Sequence, residues 1–196
     1  NYKNSLKNFG KAITKKTKII FIANPNNPTG TYLSTKELNE FIENLPKRIL
    51  LVIDAAYAEY ITKRDYSSGI DMVKNNNNII MTRTFSKIYG LAGLRLGWAY
   101  CPKYVADIFN KVRLPFNINR AAMEAGIAAL NDKNFFIKSI KHNTFYLNWL
   151  NNELIKMGLI PIPSVANFIL VKFPYNGKFS ANKVNNYLLS KGIILR

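Results

Sequence analysis

Thr82-Arg83-Thr84-Phe85-Ser86-Lys87-Ile88-Tyr89-Gly90-Leu91-Ala92-Gly93-Leu94-Arg95-Leu96-Gly97-Trp98 follows directly on the apolar run Ile79-Ile80-Met81, which reads as a buried strand. One lysine, Lys87, has two hydroxyls just before it, Thr84 and Ser86, and three glycines after it, Gly90, Gly93 and Gly97. Arg95 lies eight residues downstream. A lysine leaving a buried strand at a small-residue turn can be partly desolvated, which frees its amine as a nucleophile. Short hydroxyl donors and a forked guanidinium together suit a phosphate monoester. The plain alternative is a solvated lysine at a strand end, with a surface arginine nearby.

Two upstream stretches bear on that choice. Asn24-Pro25-Asn26-Asn27-Pro28-Thr29-Gly30 follows the apolar run Ile19-Ile20-Phe21-Ile22-Ala23. Two X-Pro steps and a glycine force a turning loop at a strand end, which is where ligands bind in open α/β sheets. Next comes Ile49-Leu50-Leu51-Val52-Ile53-Asp54-Ala55-Ala56-Tyr57-Ala58-Glu59-Tyr60, in which five apolar residues end on a single acid. An aspartate closing a fully apolar strand is costly to bury unless a cation or donor meets it. A pyridinium nitrogen would be such a partner, and a reactive lysine beside a phosphate clamp is what pyridoxal-phosphate chemistry requires.

Four segments carry a family resemblance: Asn24 to Gly30, Asp54 to Tyr60, Arg83 to Gly97, and Pro115-Phe116-Asn117-Ile118-Asn119. Ala166-Asn167-Phe168 is a softer fifth. In order and spacing the chain resembles the fold-type I pyridoxal-phosphate aminotransferases, and among them the histidinol-phosphate aminotransferases, from about Lys18 to Arg196. The resemblance implies an aspartate-aminotransferase-like α/β fold. Residues 1–117 would form part of a large cofactor-binding domain with a mostly parallel sheet. Residues 118–196 would form a linker helix and part of a small α+β domain.

The resemblance also implies roles. Lys87 matches the lysine that bonds covalently to pyridoxal 5′-phosphate and later shuttles the substrate proton. Asp54 matches the carboxylate that keeps the pyridine nitrogen protonated. Tyr57 and Asn27 match the donors to the cofactor's phenolic oxygen, and Thr84, Ser86 and Arg95 match its phosphate binders. For Thr84, a strand-end hydroxyl bonding its own backbone is nearly as good a reading. Tyr89, Asn117 and Asn119 could line the substrate side, or could be scaffold. Ala55 departs from the family, which commonly has glutamate there.

Further implications are amino-acid and keto-acid substrates, phosphorylated ones among them, and a homodimer in the cytoplasm. Activity would be transfer between glutamate and imidazole-acetol phosphate, yielding histidinol phosphate in histidine synthesis. An aromatic or broad-specificity aminotransferase and a phospho-amino-acid decarboxylase are the alternatives of similar sequence. The family's chain extends beyond both ends of this one, and supplies from there part of the phosphate cradle and an arginine that grips the substrate carboxylate. Arg196 matches an earlier arginine. The 196-residue chain alone is therefore expected to leave a sheet edge and an apolar face uncovered, to be poorly soluble or marginally folded, and to transaminate negligibly, which keeps an inactive fragment among the alternatives.

Composition narrows the other classes. With 48% hydrophobic and 13% aromatic residues the chain can bury a core. No run approaches the ~20 apolar residues of a membrane span, and residues 1–17 lack the apolar core of a signal peptide. One cysteine, Cys101, excludes an intramolecular disulfide framework and fits a reducing compartment. The single histidine, His142, cannot build a metal site alone, and reads as a solvated or capping residue. A formal charge of +17 could mark a nucleic-acid binder. The lysines are scattered along predicted helices and the amino end, however, so no nucleic-acid partner is expected.

Periodicity supplies the rest. Ser34-Thr35-Lys36-Glu37 is a capping box opening a helix with Leu38, Phe41, Ile42 and Leu45 on one face. Strands are expected at 49–53, 79–81 and 97–100, then a helix after Pro102 carrying Val105, Ile108, Phe109 and Val112. Helices at 119–130 and from Asp132 to near Gly158 follow. The chain would close with strands at 159–162 and 167–173, a helix at 180–189 and a strand at 193–195.

Overall fold

A computed structural model describes residues 2–177 and 179–195. Four strands, β1 (Ile19–Ala23), β2 (Leu50–Asp54), β3 (Ile79–Thr84) and β4 (Gly97–Tyr100), form one sheet in the order β1-β2-β3-β4. β1, β2 and β3 run parallel, and β4 returns antiparallel to β3 with Thr84 opposite Gly97. Parallel neighbours need crossovers, and two helices supply them: α2 (Thr35–Glu43) and α3 (Ile70–Asn75). A short first helix, α1 (Leu6–Ala12), precedes β1.

One face of the sheet is dry. Ile20, Ile22, Leu51, Ile53, Ile79 and Met81 point into a core shared with Leu33, Leu38, Ile42, Leu45, Met72 and Val73. Burying each such aliphatic side chain stabilises the fold by roughly 1.5–3 kcal/mol. The other face is covered only in part. Phe21, Val52 and Ile80 lie in register across β1, β2 and β3. Val105 of α4 (Lys103–Val112) covers Val52 and Ile80, whereas Phe21 remains 68% exposed. Ile19 at the same edge is 49% exposed. Ile108, Phe109 and Val112 also face solvent, so only Val105 of the expected apolar side of α4 is buried.

After the sheet come α5 (Arg120–Asn131) and the 24-residue α6 (Lys133–Lys156). Asn119 caps α5 by accepting from the Ala122 amide at 2.8 Å, and Asp132 caps α6 through the Phe135 amide at 2.9 Å. α5 packs closely on the long motif, since a Cβ at Gly126 would lie 2.5 Å from Leu96 Cδ2. β5 (Ile160–Ile162) and β6 (Leu170–Lys172) form a separate antiparallel pair, followed by α7 (Ala181–Ser190).

Two differences from the sequence-based expectation stand out. α1 and α3 are present, though their seven and six residues are too short to show helical periodicity. The strand expected at 193–195 is absent; Ile193 and Leu195 lie in a stretch with no ladder partner to pair with among the described residues. The matched Arg196 lies outside the described residues.

Candidate active site

The carboxyl ends of the parallel strands gather the motifs. β1 runs into Asn24, β2 ends on Asp54, and β3 ends on Thr84, three residues before Lys87. This is the rim at which open α/β sheets bind ligands. Local chemistry holds the first loop rigid. The fully buried Asn24 spans it, accepting from the Leu33 amide at 2.8 Å and donating to the Leu33 carbonyl at 3.0 Å. Tyr66 donates its hydroxyl to the Asn24 carbonyl at 2.8 Å.

Gly30 has φ +71, and a Cβ there would fall 2.5 Å from Ser164 Cβ. Its carbonyl accepts from the Val165 amide at 2.9 Å, tying the first loop to the segment before β6. That segment reaches the site as well: Phe168 meets the Tyr57 ring edge-on, with centroids 5.2 Å apart.

Three of the predicted residues come together. Asn27 Nδ2 donates to the Tyr57 hydroxyl at 3.1 Å, and Lys87 Nζ stands 5.2 Å from the centre of the Tyr57 ring. Tyr57 is 5% exposed, held just before a 3-10 turn, Ala58–Tyr60. Because Asn27 donates to its oxygen, the Tyr57 O–H remains free to donate onward.

Asp54 is exposed, contrary to the expectation that it caps a buried strand. The reason is the pleat: Asp54 shares the face of Val52, the partly covered one. Its carboxylate accepts from Thr82 Oγ1 at 3.3 Å, and among the described residues no lysine or arginine pairs with it. In a chain of net charge +17, an acid at a ligand rim without a cationic partner is suited to a positively charged group brought by a ligand.

The hydroxyls and the arginine are arranged more loosely. Thr84 Oγ1 accepts from the Ser86 amide at 3.0 Å, so its backbone-capping reading is realised while its proton stays available. Arg95 is exposed and donates through Nη1 to the Ala92 carbonyl at 2.8 Å, with no hydrogen bond to Thr84 or Ser86. Its backbone is left-handed, with φ 56 and ψ 47. Phe116 shares that feature (φ 54) and is 97% exposed. These are the non-glycine residues with positive φ among those described, and both fall within motifs, where strained backbone tends to serve function.

Tyr89, Asn117 and Asn119, which could line the substrate side or be scaffold, each have a structural partner. Tyr89 stacks between Phe85 and Phe136, with centroids 4.9 and 5.8 Å away, and burial raises its phenol above the ordinary value. Asn119 is the α5 cap, and Asn117 accepts from Arg113 at 3.1 Å. His142 is exposed on α6 beside Tyr146, ring centroids 4.5 Å apart.

Sequence reasoning passed over one pair. Arg83 donates through Nε and Nη2 to a single oxygen of Glu59, at 3.1 and 2.7 Å. Both residues lie inside quoted motifs, and opposite charges at such positions were the signal that could have been followed.

A mostly parallel α/β sheet thus brings a lysine, a phenol and an amide together at its carboxyl rim, the place where sheets of this class bind ligands. The chain belongs to the aminotransferase class I and II family, whose model matches residues 1–196. A histidinol-phosphate aminotransferase from Paramagnetospirillum magneticum is 51% identical over 185 residues, covering 94% of this chain and 51% of that protein. The crystal structure of histidinol-phosphate aminotransferase from Sinorhizobium meliloti in complex with pyridoxal-5′-phosphate superposes with TM-score 0.85 at 30% identity. It covers 97% of this chain and 51% of that one. A tetra mutant of Thermus thermophilus aspartate aminotransferase shares the fold, at TM-score 0.76 and 19% identity over 97% of this chain and 54% of its own. The fold is therefore aspartate-aminotransferase-like. The chain spans about half the length of these relatives.

Proposed function

We propose that the chain serves a pyridoxal-phosphate aminotransferase that moves an amino group between glutamate and imidazole-acetol phosphate, making histidinol phosphate for histidine synthesis. One observation carries the chemistry: Lys87 Nζ stands over the Tyr57 ring while Asn27 bonds the Tyr57 hydroxyl. The name of the relative at 51% identity supports the substrate. We also take residues 1–117 as part of a cofactor-binding domain and 118–196 as linker and partial small domain. The small-molecule substrates, a homodimeric assembly and a cytoplasmic setting belong to the same reading. In support, none of the described helices is long and apolar enough to cross a membrane.

The residues present fit the cofactor. Asp54, free of any cationic partner among the described residues, would face the ring nitrogen and hold its proton. The Tyr57 O–H, oriented by Asn27, would donate to the phenolic oxygen. Thr84 and Ser86 hydroxyls and the unused guanidinium donors of Arg95 would hold the phosphate. Bound pyridoxal phosphate supplies the electron sink that stabilises negative charge at the substrate Cα. Lys87 Nζ is the nucleophile and the base that takes the proton from that Cα. The Tyr57 ring beneath it limits where the amine can swing, and Phe168 packs against that ring with centroids 5.2 Å apart.

The test is borohydride trapping with pyridoxal phosphate, followed by peptide mapping of the labelled lysine. Label concentrated on Lys87 and lost in Lys87→Ala is expected. Label spread over surface lysines would overturn the assignment. With the trapped site in hand, dependence of turnover on an acceptor keto acid, measured on a protein of the relatives' full length, supports transamination. Amine release without an acceptor would replace it with decarboxylation.

A further inference from the structure

The ion pair Glu59–Arg83 differs from every other among the described residues. Its side chains are 6% and 14% exposed, whereas those of Lys3–Glu37 are 33% and 40%, and the remaining pairs lie on helix surfaces. The guanidinium is held on a second side by Trp98, 5.8 Å from its ring centre, and Trp98 stands opposite Arg83 in the β3–β4 register. β4 can approach there because Gly97 lacks a side chain; a Cβ would lie 2.9 Å from the Arg83 carbonyl.

Position gives the pair its meaning. Glu59 sits in the 3-10 turn, two residues after Tyr57, and Arg83 sits in β3, four residues before Lys87. The pair joins the segment that presents the phenol to the segment that presents the amine. Desolvating two charges roughly cancels their attraction, so a buried pair adds little net stability. What it fixes is geometry, since two N–H donors converging on one carboxylate oxygen leave little freedom of placement.

We infer that Glu59 and Arg83 are positioning residues that set the placement of Tyr57 against Lys87. The inference rests on the proposed function for its catalytic meaning alone. The geometry is testable without cofactor.

The experiment is reductive ¹³C-methylation of the lysines in the cofactor-free protein, read by NMR, with Lys87→Arg assigning the Lys87 signal. The Tyr57 ring should displace that signal by its ring current, and Tyr57→Leu should abolish the displacement. In Glu59→Gln, and in Arg83→Lys should the first variant not fold, the Lys87 signal is expected to move most of the way to the position of a free lysine. The pyridoxal-phosphate concentration for half-maximal trapping should rise about tenfold, the scale at which partners that orient a ligand-holding group act elsewhere. A purely structural pair would lower the melting temperature and leave the Lys87 signal of folded molecules unmoved. That result would overturn the inference. Failure of trapping in the unaltered protein, with the ring-current effect intact, would instead count against the proposed function.

Discussion

Tyr66 shows how a single phenol ties the Asn24–Gly30 loop to a pH limit. Its hydroxyl donates to the Asn24 carbonyl, and burial raises its pKa far above the usual 10.0. The folded state thus keeps the proton that the unfolded chain releases near pH 10, so stability is complete below about pH 10 and falls as pH rises beyond it. Tyr60 and Tyr89 are raised for the same first reason, desolvation, and add to the slope. Tyr66→Phe should cost about 1 kcal/mol at neutral pH for the lost hydrogen bond. It should also make the alkaline loss of stability less steep without removing it, as followed by denaturant melts between pH 8 and 11. An unchanged slope would show that Tyr66 ionises in the folded state as freely as in the unfolded one. At this scale the convergence of Lys87, Tyr57 and Asn27 was legible, because their motifs follow strands whose ends share one rim. The exposure of Asp54 was not legible, since it depends on what covers one face of a sheet. Nor was the bond of Arg95 to Ala92, which follows from a left-handed backbone that no residue type at position 95 announces.

Helix α2 illustrates how far an element can be read from its ends. The capping box is realised in full: Ser34 Oγ accepts from the Glu37 amide at 3.3 Å, and the Glu37 carboxylate accepts from the Ser34 amide at 2.8 Å. Burial pushes the Glu37 carboxyl up, but Lys3, the Ser34 amide and the Ser34 hydroxyl together outweigh it and hold the pKa below its usual 4.5. Because the folded pKa is depressed, this contribution is present above about pH 4.5 and is lost as pH falls through the folded value. Ser34→Ala should cost roughly 0.5–2 kcal/mol, and Glu37→Gln should soften the acid limb of the stability profile. Urea melts at pH 3 to 7 would check both; an acid limb unchanged in Glu37→Gln would remove Lys3–Glu37 from the account. Caps and 3.6-residue periodicity also gave α5 and α6 their correct ends at Asn119 and Asp132. α1 and α3 escaped because two turns or fewer carry no period, and the β-like run 193–195 has no ladder partner among the described residues, which strand propensity alone does not supply.

Two opposing forces set the behaviour of the whole molecule. Phe21 and Ile19 on the open sheet edge are joined by other large exposed apolar side chains, among them Trp98, Phe116, Phe145 and Trp149. Such surface draws copies together, and an unpaired edge strand offers a template for pairing. The net charge of +17 pushes them apart. Repulsion is felt over a Debye length of ~30 Å at 0.01 M salt and only ~3 Å at 1 M, whereas burial of apolar surface is not screened. Association of this chain should therefore rise with salt, the reverse of what charge-driven assembly or nucleic-acid binding would give. Sedimentation velocity between 0.02 and 0.5 M sodium chloride reads the effect directly, and binding of a hydrophobic dye reads the open face. Phe21→Ser with Ile19→Thr should lower both the dye signal and the high-salt association while leaving the dry core untouched, since neither side chain contributes to it. Association that is independent of salt and of these two substitutions would mean that some other surface, and not the open face of β1, governs how the molecule meets its copies.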